Sequence, residues 1–429
     1  MRLGGKLAAA IEVLDDIGRR HRPAVDALKD WGLSHRFAGS GDRAGIGNIV
    51  YDALRRRRSA AWLLDSDEPR ALAFGALLLE WGESPESLAA ALDGDRFAPP
   101  PLSDAERAAF AGRDLDAAPA AVRADCPDWC APLLEAAWGP DWVAEAVALS
   151  GCPPLDLRAN PLKADRAKVE AALRGAGAAP VPGIPEALRI GAIAGGGRHP
   201  NVQAEPAFQK GWFEVQDAGS QMAARLAGAA AGMQVLDFCA GAGGKTLAMS
   251  AAMDNRGQIF AHDSEKQRLA PIFDRLKRAG CRNVQVVADP AQIAPLEGQM
   301  DLVLVDAPCT GSGTWRRRPD AKWRLTERQL AARAAEQAGI LDAASACVKP
   351  GGRLVYVTCS VFAEENERQV EAFLGRRAGF SPQDHAALWR RAFDLPQEAA
   401  AIHTAGGIRL SPLRTGTDGF FVAVLRRAA

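Results

Sequence analysis

Two cysteines in this sequence each follow a short apolar run that has the composition of a buried β-strand. Cys309 lies in VDAPCTG, three residues after Asp306, and Cys359 lies in YVTCSVF. A single cysteine is most often a small buried hydrophobic residue. Two cysteines at strand ends, one of them close to an aspartate, instead predict a site in which a thiol acts as a nucleophile.

Covalent catalysis on a pyrimidine ring is the chemistry that such a pair of thiols can perform. Carbon 5 of the ring becomes nucleophilic only after a thiolate adds to carbon 6, and it can then accept a methyl group. Asp306 could assist by protonating or hydrogen-bonding ring nitrogen 3 if it is buried. The second thiol could assist when the carbon 5 proton leaves and the first thiol is eliminated. These residues alone leave open which cysteine attacks.

A glycine-rich loop in VLDFCAGAGGKT predicts a turn between a strand and a helix that binds a nucleotide or nucleoside. It does not match an ATPase phosphate loop, because the first glycine of that motif would have to replace Cys239. The dinucleotide fingerprint fails as well, because it requires glycine or alanine where this chain has Thr246.

Acidic residues end the next two predicted strands, Asp263 in FAHD and Asp289 in VVAD. A carboxylate in that position can accept hydrogen bonds from ribose hydroxyls. The alternative is that these acids only cap helices or form turns. A glycine loop followed by acids at successive strand ends favours a site for S-adenosyl-L-methionine.

The elements that must position these residues follow from the periodicity of apolar side chains. Residues 1–150 show helical spacing, residues 151–205 mix strand and helix patterns, and residues 206–429 alternate short apolar runs with helices. Such alternation predicts a mostly parallel sheet covered on both faces, with its ligand at the carboxyl ends of the strands. If the strands ending at Asp306 and Thr358 are neighbours, both thiols face one pocket.

Composition excludes few classes of function. The chain has 429 residues and equal numbers of basic and acidic side chains, 52 each, and a neutral total does not exclude a local patch that binds nucleic acid. The sequence shows no secretion signal and no membrane span, which predicts a soluble, cytoplasmic protein. Cys126 and Cys130 form the closest of the cysteine pairs, and because no second pair follows, we expect reduced thiols and no metal site.

Taken together, these motifs resemble the Sun/RsmB-type RNA cytosine-5 methyltransferases over most of the chain. The matching segments are VQDAGSQ at the entry to the catalytic domain, DFCAGAGGKT in the cofactor loop, VDAPCTGSGTWRRRPDAKW and YVTCSVFAEENE in the two cysteine motifs, LRANPLKADR in the small preceding domain, and GSGDRAGIGNIVYDALRRR in a NusB-type helical domain.

The resemblance implies an α/β fold of three parts. These are an all-α, NusB-like, RNA-binding domain at 1–150, a small α/β RNA-binding module at 151–205, and a Rossmann-like class I methyltransferase domain with a mostly parallel seven-stranded sheet at 206–429. It also implies that Cys359 attacks the base and that Cys309 aids product release, whereas DNA cytosine-5 methyltransferases attack with the cysteine that follows proline.

The resemblance further implies S-adenosyl-L-methionine as the cofactor. The implied contacts are Cys239, Ala240, Gly241, Ala242, Gly243, Gly244, Lys245, Asp263, Arg268, Asp289 and Asp306. The family usually has Ala-Pro where this chain has Gly241-Ala242. Because Gly-Ala is more flexible, we expect weaker cofactor binding along the same backbone path.

Basic side chains follow Cys309 in TWRRRPDAKWR, interleaved with two tryptophans that could stack on unpaired bases. The predicted RNA contacts are Arg316, Arg317, Arg318 and Lys322, with Arg55 and Arg56 of a second run. An arginine run is also typical of a solvated helix face. We expect a monomer that acts on RNA, ribosomal RNA first and transfer RNA second. The rival interpretations are a DNA cytosine methyltransferase and a non-catalytic RNA-binding or assembly protein.

Overall fold

The computed structural model describes residues 1–395 and 401–429, which divide into two compact units. The first unit comprises residues 1–153, 192–199 and 314–325, and the second comprises residues 154–191, 200–313 and 326–429. This division differs from the three predicted segments. Most of the small α/β module folds with the large sheet, and a short basic segment from the third predicted domain folds with the helices.

The first unit is helical. Its α-helices are α1 (Leu3–Arg20), α2 (Ala24–Ser34), α3 (Ser40–Arg55), α4 (Arg57–Leu64), α5 (Pro69–Glu80), α6 (Pro85–Leu92), α7 (Asp104–Gly112), α8 (Ala120–Arg123), α9 (Ala131–Trp138), α10 (Trp142–Ser150) and α17 (Pro319–Arg324). Its core includes the fully buried Leu7 of α1, Ile46 of α3 and Phe74 of α5, and α5 is buried on all sides from residue 71 to 78. The prediction of an all-α N-terminal region is confirmed.

The second unit begins with a small antiparallel sheet in the order β2-β3-β1-β4. Its elements are β1 (Leu155–Ala159), α11 (Arg166–Ala172), β2 (Ala179–Pro180), β3 (Ala187–Ile190), α12 (Pro206–Gln209) and β4 (Phe213–Val215). Arg158 on β1 donates hydrogen bonds to the Gln216 side chain at 2.8 Å and the Gly244 carbonyl at 3.1 Å. This sheet is therefore bonded to the segment that carries the glycine loop.

The large sheet has the strand order β11-β12-β13-β9-β8-β5-β6-β7, with β10 paired to β13. Its strands are β5 (Gln234–Asp237), β6 (Gln258–His262), β7 (Val284–Val287), β8 (Met300–Asp306), β9 (Val348–Thr358), β10 (Phe380–Pro382), β11 (Ile402–His403), β12 (Ile408–Leu410) and β13 (Phe420–Arg427). Strands β5 to β9 run parallel and β13 is antiparallel to β9. The described residues thus form nine strands where the resemblance implied seven. The five parallel strands and β13 make six, and three strands of two or three residues, β10 to β12, extend one side.

Both faces of this sheet are covered, as the alternation predicted. The helices are α13 (Ala218–Ala227), α14 (Gly244–Ala252), α15 (Lys266–Leu269), α16 (Ile272–Ala279), α18 (Glu327–Cys347), α19 (Glu367–Arg376), α20 (His385–Ala392) and α21 (Pro412–Thr415). On β9, Val355 packs with α13 and α20, whereas its neighbours Leu354 and Tyr356 pack with α18 and α19. Successive side chains point to opposite faces of a strand, so the long apolar strands bury both.

Candidate active site

The two strands that lead to the cysteines are neighbours, which is the condition under which both thiols face one pocket. Asp306, the last residue of β8, lies opposite Val357 in the parallel pairing of β8 with β9. Cys309 follows β8 by three residues and Cys359 directly follows β9, and their Sγ atoms are 3.3 Å apart. The two sulfurs therefore share one hydrogen bond at the carboxyl edge of the sheet.

A buried carboxylate fixes the loop that carries Cys309. Glu365 is fully buried and accepts hydrogen bonds from the Thr310 backbone N–H at 2.8 Å and hydroxyl at 2.5 Å. Gln337 donates to Glu365 and to the Pro308 carbonyl, both at 3.0 Å. One network thus holds both sides of Cys309. Sequence reasoning missed Glu365, because a glutamate in the polar segment EENE is normally exposed.

The turn that carries Cys359 is tied to the turn of the other cysteine. The Gly313 N–H donates to the Cys359 carbonyl at 2.9 Å. The Ser312 hydroxyl lies 3.0 Å from that of Ser360 and accepts from the Val361 N–H at 2.9 Å. Because the two turns hold each other, the separation of the thiols is set by backbone contacts and not by flexible side chains.

The thiol of Cys309 retains its proton more strongly than an ordinary thiol. Its hydrogen bond with Cys359 raises the pKa of Cys309 well above the usual range, and burial and the charges of Cys359 and Glu365 raise it further. Each of these effects disfavours a thiolate at Cys309.

Asp306 forms an ion pair instead of being buried alone. Its carboxylate lies 2.6 Å from the ammonium of Lys245, and its side chain is 35% exposed whereas that of Lys245 is 6% exposed. The ammonium also lies over the Phe420 ring, 5.4 Å from its centroid. Asp306 is thus partly exposed and paired with a lysine, and its assistance at ring nitrogen 3 stays a prediction.

The glycine loop is a fixed turn between β5 and α14. Gly241 and Gly243 have φ values of +51° and +82°, a conformation that favours glycine. The Gly241 N–H donates to the Asp263 carboxylate at 3.0 Å. A Cβ on Gly243 would lie 2.5 Å from Ile272, whereas one on Gly241 would meet its nearest neighbour, Arg268, at 3.7 Å. Close packing therefore requires glycine at 243 in particular.

Asp237 lies at the start of this loop, and sequence reasoning gave it no role. Its side chain accepts a hydrogen bond from the Thr246 hydroxyl at 2.6 Å on one oxygen, and the other oxygen is buried with no partner among the described residues. Burial, followed by the charge of Asp306, raises the pKa of Asp237 to about 7. An unpartnered buried acceptor beside a glycine turn fits a ligand with a cationic or hydrogen-donating group, as S-adenosyl-L-methionine has.

The other two strand-end acids differ from each other in their surroundings. Asp263 is 2% exposed, accepts the Glu265 N–H at 3.0 Å, and lies 3.6 Å from the Arg268 guanidinium, which is 43% exposed. Asp289 is exposed and accepts the Ala291 N–H at 3.0 Å, as a turn-capping residue does. Asp263 therefore supports the loop from within, and only Asp289 presents an open carboxylate.

The basic and aromatic segment after Cys309 folds into the first unit, where much of it is buried. Trp315, Arg316 and Lys322 are 2%, 5% and 1% exposed. The Lys322 ammonium donates to the Ser150 hydroxyl at 2.9 Å, and burial lowers its pKa to about 8. Arg316 and Lys322 thus differ from their predicted role as RNA contacts, because a buried cation does not reach a phosphate. Arg317 is partly exposed and Arg318 is exposed, and both remain predictions.

The predicted basic patch at the end of α3 is also paired within the first unit. The Arg55 guanidinium is 2.7 Å from Asp52 and donates to the Arg316 carbonyl at 2.8 Å. Arg56 forms an ion pair with Glu80. Arg55 is 7% exposed, so this arginine joins two segments of the unit and does not form the predicted RNA contact.

Across residues 1–395 and 401–429, no three histidine, cysteine, aspartate or glutamate side chains are grouped to hold a metal ion. Cys126 and Cys130 are both buried, and burial raises the pKa of Cys126 to about 11, which disfavours the thiolate that a metal would need. Among the same residues, no helix is both long enough and apolar enough to cross a membrane.

Two solved structures share this fold. A crystal structure described as PH0851 aligns over 100% of both chains with a TM-score of 0.72 and 24% identity. A methyltransferase homologue from Pyrococcus horikoshii aligns over 72% of this chain and 97% of its own, with a TM-score of 0.59 and 25% identity. The first of these likenesses concerns the fold alone.

Sequence comparison identifies the family. Residues 226–426 match the family described as 16S rRNA methyltransferase RsmB/F. The probable ribosomal RNA small subunit methyltransferase B of Synechocystis is 34% identical over 70% of this chain and 67% of its own length. That of Klebsiella pneumoniae is 38% identical over 58% of this chain and 57% of its own, so the chain spans little more than half of that relative. This chain belongs to the RsmB/F methyltransferase family.

Proposed function

We propose that this chain methylates carbon 5 of a cytosine in RNA, with ribosomal RNA as the leading substrate, through a covalent bond between Cys359 and carbon 6 of the base. The observation that carries the proposal is the pair of thiols 3.3 Å apart at the carboxyl ends of adjacent parallel strands. Packing alone does not require two thiols in contact beside an aspartate–lysine ion pair. The names of the relatives favour ribosomal RNA.

We assign the attack on the base to Cys359, as the family resemblance implies. The hydrogen bond with Cys359 and burial raise the pKa of Cys309 and make Cys309 the less favourable place for a thiolate. As the Cys359 sulfur bonds to carbon 6, electron density moves onto carbon 5 and ring nitrogen 3. Asp306, whose carboxyl oxygen lies 2.6 Å from the Lys245 ammonium, can hydrogen-bond ring nitrogen 3 as it takes up a proton from solvent.

S-adenosyl-L-methionine is the cofactor, and when bound it supplies an electrophilic methyl group. The residues that would hold it are the turn from Cys239 to Lys245, the unpartnered oxygen of Asp237, and the open carboxylate of Asp289. The Asp263 side chain is already bonded to Gly241, so it shapes the turn and leaves less of its carboxylate for a ribose.

Release of the product requires a base that removes the carbon 5 proton, after which the bond between carbon 6 and sulfur breaks. Once Cys359 is bonded to the base, its sulfur no longer carries charge or shares a proton. The largest cause that raises the pKa of Cys309 is then removed. Cys309 can lose its proton to solvent, take the carbon 5 proton as a thiolate, and leave Cys359 as the departing thiolate.

The test compares two cysteine variants on an RNA substrate. Cys309→Ala should form a covalent protein–RNA adduct, visible as a slow band on a denaturing gel, because addition proceeds and elimination stalls. Cys359→Ala should give neither adduct nor methylated RNA. Cys281→Ala is the control, since this partly exposed thiol lies outside the site and should leave the activity unchanged.

Other outcomes would favour the rivals. An adduct with Cys359→Ala and none with Cys309→Ala would reverse the roles, as in DNA cytosine methyltransferases. No binding of S-adenosyl-L-methionine in calorimetry would favour a non-catalytic RNA-binding protein. Bisulfite sequencing of RNA from a deletion strain would name the molecule, and a lost signal in transfer RNA would move the substrate away from ribosomal RNA.

A further inference from the structure

A cluster of arginines on the second unit takes no part in the proposed chemistry. The arginine cluster, as we call it, comprises Arg166, Arg225, Arg353, Arg390, Arg391 and Arg426. Two concavities of about 480 and 540 Å³ share Arg390 and Arg391, which lie on α20. Arg166 and Arg225 also line the smaller concavity, and Arg426 also lines the larger. Arg353 on β9 pairs in register with Arg426 on β13. The six side chains thus form one basic surface.

Fewer acids than arginines lie along this surface: Asp394 lines the smaller concavity, Asp384 lines the larger, and the charge of Asp301 acts on Arg353. Arg225 lies 3.6 Å from Glu186 and donates to the Ala392 carbonyl at 2.8 Å. Asp384 caps α20 by accepting the Ala387 N–H at 2.9 Å. Three of the cluster's members form no ion pair with any residue in 1–395 or 401–429, namely Arg390, Arg391 and Arg426. The cluster therefore keeps an excess of positive charge that an anionic partner would relieve.

Burial and the positive charge of the cluster together lower the pKa of one of the cluster's own members, Arg353, and of the nearby His403. Burial lowers the pKa of Arg353, and the charges of Arg426 and Arg391 lower it further. Burial likewise lowers the pKa of His403, and the charge of Arg390 adds to that effect. Guanidinium groups bind phosphate oxygens through paired, parallel hydrogen bonds, so repeated phosphates match this surface better than a single small anion does.

We propose that the arginine cluster binds the phosphate backbone of the RNA substrate, away from the target base. The inference rests on the proposed function, because it needs RNA as the substrate. Arg353 precedes Cys359 by six residues, which at 3.3 Å per residue of strand is about 20 Å along the chain. The cluster therefore contacts a flank of the target site and adds affinity without reading the base.

The test measures the salt dependence of binding to a fluorescein-labelled RNA hairpin by anisotropy. The test variant combines Arg390→Gln, Arg391→Gln and Arg426→Gln. Loss of three phosphate contacts should reduce the slope of log affinity against log salt by about 2 to 3 and weaken binding at least about tenfold at low salt.

A matched control combines Arg328→Gln, Arg333→Gln and Arg376→Gln. These exposed arginines lie on α18 and α19, which cover the other face of the sheet, and two of them already pair with Glu336 and Asp342. The control should keep the wild-type slope. If the triple test variant does not fold by circular dichroism, Arg426→Gln alone should still reduce the slope by about 0.7 to 0.9.

An unchanged slope in the folded test variant overturns the proposal. The proposal is also overturned if the test variant binds RNA normally but loses affinity for vesicles that contain phosphatidylserine, because the surface would then bind a membrane and not RNA. A methyl-transfer assay distinguishes failure of this proposal from failure of the proposed function on which it rests. The test variant should raise KM for a long RNA and leave kcat unchanged, whereas a wild-type protein that binds RNA without methylating it refutes only the proposed function.

Discussion

Replacing Asp237 by asparagine should remove a pH dependence of stability that this buried carboxyl imposes. Burial, as the leading cause, raises its pKa from 3.8 to about 7. Below about pH 4 the folded and unfolded states both hold the proton, so the group contributes nothing. Between about pH 4 and 7 the unfolded chain releases a proton that the folded protein keeps, so the free energy of unfolding falls as pH rises. Above about pH 7 both states have released the proton, so the free energy of unfolding no longer changes with pH on account of this group.

The magnitude follows from the difference between the two pKa values. Each pH unit between them is worth about 1.4 kcal/mol, so the full loss is on the order of 4 kcal/mol, of which about 3 kcal/mol accrues between pH 5 and 7. Asparagine cannot ionise, and its amide oxygen can still accept the Thr246 hydroxyl that now lies at 2.6 Å. Its amide N–H adds a constant cost that does not change with pH.

Urea unfolding followed by circular dichroism, from about pH 5 to about pH 8 without cofactor, measures this effect. The difference in stability between Asp237→Asn and wild type should move by about 3 kcal/mol in favour of the variant as pH rises. Asp384→Asn is the control, because Asp384 is an exposed cap of α20 and asparagine caps equally well. Parallel pH curves for Asp237→Asn and wild type would refute the reasoning.

Three further predictions concern single residues. Gly243→Ala should lower the free energy of unfolding by about 1 to 3 kcal/mol, because φ is +82° and the new Cβ would lie 2.5 Å from Ile272. It should also weaken S-adenosyl-L-methionine binding in calorimetry, and binding equal to wild type would contradict the prediction. Burial lowers the pKa of Lys322 to about 8, so wild-type stability should rise by about 3 kcal/mol from pH 8 to 10.5, and Lys322→Met should abolish that rise without changing RNA affinity. Glu365→Gln removes a negative charge that raises the pKa of Cys309. The covalent protein–RNA adduct should therefore decay at half its maximal rate at a lower pH than in wild type. An unshifted pH–rate profile would contradict the effect of Glu365 on the pKa of Cys309.

Sequence patterns located the reacting groups because those patterns are local. The end of an apolar run marks the end of a parallel strand, and parallel strands bring their carboxyl ends to one edge. That rule was sufficient to predict that Cys309 and Cys359 meet, and the 3.3 Å separation of their sulfurs agrees with it. The capping box of Thr326 and Gln329 at the start of α18 is equally local, because a cap depends on residues only three apart.

The same patterns failed wherever burial decided the role of a charged side chain. Lys322 and Arg316 stand in a stretch that is typical of an RNA-binding surface, yet they are 1% and 5% exposed. The sequence left open whether Asp306 is buried; it is paired with Lys245 at 35% exposure, whereas Asp237 is buried. Sequence periodicity does not show which charged group finds a partner after the chain has packed.

The sequence by itself therefore determined the family, the order of strands and helices, and the two thiols with their aspartate. Only the tertiary structure brought the two sulfurs into contact and placed the buried Glu365 against the loop of Cys309, and these contacts raise the pKa of Cys309. The tertiary structure also decided that the basic segment after Cys309 belongs to the helical unit. The physical reason is that strand and helix patterns are set by neighbours along the chain, whereas proton affinity and access to solvent are set by residues that folding brings together.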